Sequence, residues 1–149
     1  METPTGTWLA ELILSHLDEL AATLGEAARR DIPLYRAMEP AVVHPLFAAL
    51  YQVLAQTLAA GDMAPMRTYL QHVTVSRIRD GAAAASFIKL AEISDATVDR
   101  LVQRELPHDP AFAAEALRQV HTVSQNVRLI LSEINLQLLS QRPPSSPAT

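Results

Sequence analysis

The stretch PAFAAEALRQVHTVSQNVRLILSEINLQLLSQR, residues 110–142, decides the fold. It has the pattern of one continuous helix of about thirty residues, ~45 Å long at 1.5 Å per residue. It holds no Gly, and its one Pro is the first residue. Ala116, Val120, Val123, Val127, Ile130 and Ile134 recur at spacings of three and four, and Leu117, Leu131 and Leu138 run beside them. Two adjacent apolar rows give more apolar surface than one neighbour covers, so the pattern predicts both a core and a partner. Val120, Val123, Val127, Ile130 and Ile134 are the candidate seam of a homodimer, set against the plainer reading that the row faces the chain's own core.

Working back from this helix, the punctuation divides the chain into further helices. Asp109-Pro110 supplies a cap and a first-turn proline for the final helix, and Pro107 ends the one before it. That fifth helix runs from about Ala83 to Leu106 through Phe87, Leu90, Val98 and Leu101. A fourth starts after Asp62, tolerates Pro65 in its first turn, and stops at Gly81. A third starts at Pro40, has the register Val43, Phe47, Leu50, Leu54 and Leu58, and closes at Gly61. A short turn carries Leu34 to Met38. The first helix, capped by Thr7, spans about Trp8 to Arg30 and is ended by Asp31-Ile32-Pro33. Short connections predict antiparallel packing of successive helices. The expected domains are a loose leader over 1–6, one helical domain over 7–142, and a disordered Pro/Ser tail over 143–149.

Composition agrees with an all-α class. The chain has 149 residues, 49% of them hydrophobic, with four Gly and only 5% aromatic. That length suits one domain with a proper core. The net charge of −4 and the lack of any basic run beyond Arg29-Arg30 argue against nucleic acid binding, which needs a cationic face. Lys89 is the one lysine, a bias we read as genomic. With no cysteine, disulfides, zinc–thiolate sites, iron–sulfur clusters and thiol catalysis are excluded. The N-terminus lacks a basic region before its apolar run, and no uninterrupted apolar stretch approaches the ~20 residues that span a bilayer. The expectation is a cytoplasmic protein without a membrane partner.

No residue pattern calls for catalysis, so the chain is expected not to be an enzyme and to need no cofactor or metal. The five histidines contain no i, i+4 pair and no Glu-x-x-His unit. One histidine suffices for haem, and His72 and His121 are the candidates for that alternative. Glu92, Asp95 and Asp99 share a stripe of the fifth helix, where a solvated face is the plain reading, with Asp99 near Arg104. No serine sits in a Gly-x-Ser-x-Gly elbow. His72, with Arg67, Arg77 and Arg79 on its helix, leaves a histidine phosphotransfer or helical adaptor role as a further alternative. In the segment Ser76 to Gly81, an arginine that turns back to cap helix-end carbonyls is the structural reading.

The break before Tyr35-Arg36, the Gly61-Asp62 break, the Arg77-x-x-x-Gly81 turn and the apolar helix through Phe87, Ile88 and Leu90 give the chain a resemblance. From about Trp8 to Leu138 it resembles the N-terminal sensor domain of RsbR-type proteins, the RsbT co-antagonists of bacterial stressosomes. The resemblance implies a globin-like fold of five to six helices without haem, a homodimer, and signal input to a STAS or kinase module in a stress or two-component pathway. It supplies no ligand residues. Such domains usually precede an output domain, whereas this sequence stops at its Pro/Ser tail, as a free-standing sensor or a piece of a longer protein would.

Overall fold

A computed structural model of the chain describes residues 3–141. Among them are seven α-helices and no strand: α1 (Pro4–Ser15), α2 (Leu17–Asp31), α3 (Pro33–Arg36), α4 (Pro40–Ala60), α5 (Ala64–Arg79), α6 (Ala84–Glu105) and α7 (Pro110–Ser140). The all-α class is as the sequence indicates. The punctuation works where it was read. The Asp109 carboxylate accepts the Phe112 N–H at 3.1 Å, and the Asp62 carboxylate accepts the Ala64 N–H at 3.0 Å. Gly61 closes α4 in the left-handed region at φ 63°, where a side chain would be strained. The tail expected over 143–149 lies outside the described residues.

The N-terminal part differs from expectation in two ways. The helix starts at Pro4 rather than after Thr7, because the Thr3 hydroxyl accepts the Gly6 N–H at 2.9 Å and caps it. Gly6, expected in a loose leader, is buried, and a Cβ there would run into the Leu58 carbonyl oxygen. Its lack of a side chain is what lets α1 lie close on the end of α4. The single helix expected over Trp8 to Arg30 also breaks at His16. The Ser15 hydroxyl donates to the Glu11 carbonyl, a bond that bends helices. The His16 ring lies 3.0 Å from Glu19 and 3.6 Å from Glu105, which ties the break to the end of α6. Asp18 and Glu19 then occupy the first turn of α2, where the helix dipole favours acidic groups.

α4 is the centre of the assembly. α1 and α2 lie along it, and α5 packs on it as well. Val43, Phe47, Tyr51, Leu54, Ala55 and Leu58 bury its inward face. Each such large apolar side chain contributes roughly 1.5–3 kcal/mol on burial. α4 carries no Asp, Glu, Lys or Arg over 21 residues, so by length and composition alone it is the one described helix able to cross a bilayer. Its apolar run is interrupted by His44, Gln52 and Gln56. In this fold its core face is covered by protein.

α7 packs on α6, α5 and α1, and the Trp8 and Phe112 rings meet edge-on at 5.2 Å between α1 and the start of α7. Val120, Val123, Ile130 and Ile134 are buried here, and Val127 is half-buried. The row expected as a subunit seam therefore belongs to the chain's own core, because α4, α5 and α6 fill the space in front of it. The apolar surface that α7 does leave exposed is Leu129 (62%), Leu136 (65%) and Leu139. Successive helices are not always neighbours. α4 pairs with α5 and α6 with α7, but α1 hardly touches α2, and α5 turns to α7 and α4 rather than to α6.

Candidate functional site

Where α5 and α6 stand apart, the core is not closed. A cavity of about 100 Å³ lies between α4, α5, α6 and α7. Its walls are mainly apolar: Leu50 and Leu54 from α4, Leu70 and Val73 from α5, Phe87, Leu90 and Val98 from α6, Val120, Val127 and Leu131 from α7. The helical periodicities that made these residues core members also aim them here. Tyr35 and Tyr69 complete the lining at the α3 side.

Four polar side chains interrupt the apolar wall: Thr74, Ser94, Asp95 and Ser124. Thr74 Oγ1, Asp95 Oδ1 and Ser124 Oγ are enclosed and have no hydrogen-bond partner among the described residues. A helical Thr or Ser commonly donates to the carbonyl four residues earlier, as Thr97 does to Ile93 at 2.8 Å. Thr74 and Ser124 do not. Leaving such groups unpaired in a dry interior costs roughly 1–3 kcal/mol each. The Asp95 carboxyl is pushed above its ordinary value by burial and, next, by the charge of Asp99, against the pull of His121 and Arg128.

Behind Asp95 stands an ion pair. Asp99 Oδ2 and His121 Nε2 are 3.0 Å apart, and this hydrogen bond raises the His121 pKa. Asp95, Asp99 and His121 each bring a donor atom within 4.8 Å of the others, so these are the described groups closest to a metal-ligand set. Asp99 thus pairs across to α7, not with Arg104 as the sequence reading had it. Arg104 instead makes a two-pronged bond with Glu19 of α2 at 2.7 and 2.9 Å, which holds the Glu19 carboxyl down to about 2. Glu92 is exposed.

At the α3 side, Arg77 is mostly buried and 3.9 Å from Asp80. Its charge acts on both Tyr35 and Tyr69, whose hydroxyls burial pushes up, that of Tyr69 to about 12. Arg77 therefore acts on the tyrosines. Two of the motifs that carry the resemblance, Tyr35-Arg36 and Arg77-x-x-x-Gly81, meet here in space.

No family model, curated protein or solved structure matches the chain.

The histidines of the haem alternative do not reach the cavity. His72 and His121 are both exposed, the latter held by Asp99, and a cavity of this size is far below the ~300–1,000 Å³ of ordinary cofactor and ligand pockets. A porphyrin does not fit. For the phosphotransfer alternative, His72 is suitably exposed, but its arginines are dispersed. Arg67 is paired with Glu133 of α7 at 2.8 Å and Arg77 turns inward. A second, more open depression of about 260 Å³ lies between Thr3, the end of α4 and α7, around Asp62, Arg118 and Asn126. Sequence reading named none of the cavity's polar residues as ligand contacts. The available signal was that Thr74 and Ser124 fall within otherwise apolar helix faces, whereas Asp95 was masked by the acidic row it shares with Glu92 and Asp99.

Proposed function

We propose that this chain is a non-enzymatic signal-input domain that binds a small molecule in the α4–α7 cavity and reports it through α7 to a partner protein. The observation that carries this reading is the cavity itself, apolar in its walls and furnished with unpartnered Thr74, Asp95 and Ser124. Apolar walls with a few placed polar groups are the usual lining of a ligand site, and the small volume restricts the ligand to a few carbon atoms. Four helices meet at it, and α7 continues beyond it for nine residues past Leu131. A ligand with different affinity for two packings of α7 shifts their populations, and no chemistry is needed.

The resemblance to RsbR-type sensor domains supports the same role, with a globin-like arrangement, a STAS or kinase module as the partner, and a cytoplasmic setting. In this reading the chain works as a homodimer. Leu129, Leu136 and Leu139, exposed at spacings of seven and three, suit pairing with α7 of a second copy.

The test is calorimetric binding of a panel of small neutral molecules, with sedimentation in parallel. Saturable binding that is lost in a folded Val127→Phe variant, and a dimer converted to monomer by Leu136→Glu, are expected. A panel that binds neither at millimolar concentration, or binds equally well after the cavity is filled, overturns the sensor reading. A monomer at high concentration removes the dimer.

A further inference from the structure

The identity of the three unpartnered groups narrows the ligand. This step rests on the ligand-binding reading above. Thr and Ser hydroxyls donate or accept, whereas an ionised carboxylate only accepts. Asp95 Oδ1 can therefore be satisfied only by a donor. Asp95 also feels the charges of His121 and Arg128, which lie one turn either side of Ser124 on α7. Asp95 and Ser124 accordingly share one wall of the cavity. Thr74, only 3% exposed, contributes its hydroxyl from α5.

We infer that the cavity is built for a small neutral apolar molecule bearing a hydroxyl head, with its O–H donated to Asp95 Oδ1 and its oxygen accepting from the Ser124 hydroxyl. An ether or ketone offers no proton to Asp95. A carboxylate would set like charge against like charge between apolar walls. An ammonium head would have to shed its hydration between apolar walls, beside the Arg128 charge that already acts on Asp95. Size limits the rest. An apolar cavity of 150 Å³ holds benzene, so about 100 Å³ suits a body of roughly four or five carbons.

The experiment uses the full chain and four probes of nearly equal size: 1-butanol, its isomer methyl propyl ether, butyrate and butylammonium. Binding is followed by amide chemical shifts of the α6 and α7 residues around the cavity. 1-Butanol is expected to bind at least tenfold more tightly than each of the other three. In Asp95→Leu that preference over the ether falls to less than threefold, while binding of the ether persists. Ser124→Ala, a smaller change, keeps the fold and lowers butanol affinity alone. If the ether, butyrate or butylammonium matches or exceeds butanol, the hydroxyl assignment is wrong although the cavity remains a ligand site. If no probe shifts any cavity resonance, the assignment and the sensor reading fall together.

Discussion

Asp95 carries a cost in the fold. Its carboxyl is raised above the ordinary 3.8 by burial and by Asp99, so the folded state disfavours the charged form. Below 3.8 the group is neutral in both folded and unfolded chains and the penalty vanishes. It is fully present once the pH exceeds the raised folded value. Asp95→Asn should therefore raise Tm at pH 7 by about 2 °C, with the gain fading toward pH 3–4. Calorimetry at the two pH values checks this, and a less stable Asn variant would mean that the carboxylate is stabilising where it sits. Gly6 is the opposite kind of residue, one whose small size the fold requires. Gly6→Ala should destabilise by about 1–3 kcal/mol, since backbone rather than a movable side chain blocks the new methyl. Denaturant melts measure it, and an unchanged midpoint would show that α1 shifts freely. Neither role was legible in the sequence. Pro4-Thr5-Gly6 has the composition of a loop, and Asp95 sits in a row of acids that reads as a solvated face.

Among the elements, α4 to α7 were readable nearly to the residue, because first-turn prolines, Asp caps and closing glycines act through their immediate neighbours. The α1–α2 break was not. Its cause is tertiary: His16 is anchored by Glu105, nearly ninety positions away in the chain. The placement of α7's Val/Ile row was also hidden, since periodicity tells which residues share a face and not what the face meets. α6 and α7 are joined by the Asp99–His121 pair, which gives their contact a pH dependence of known sign. His121 has its folded pKa raised above the ordinary 6.5, so its contribution is complete below 6.5 and is lost as the pH rises through the folded value. Wild-type stability should fall between roughly pH 6 and 8 relative to His121→Gln, which lacks the titration. Parallel Tm curves for the two proteins across that range would show that the pair contributes nothing.

At the scale of the whole molecule, the cavity exists because α5 passes α6 by and joins α7, a choice of neighbours that short connections do not reveal. The same arrangement wraps α4 on several sides with helices made both before and after it. From Pro40 to Ala60 that helix has no Asp, Glu, Lys or Arg, and its one ionisable group besides Tyr51 is His44. A nascent chain leaving the ribosome thus presents an apolar rod whose main cover, α1 and α2, is already made, and α5 follows to complete it. Lesions that loosen α1 or α2, however far from the cavity, should surface first as aggregates and low yield, because they bare that rod.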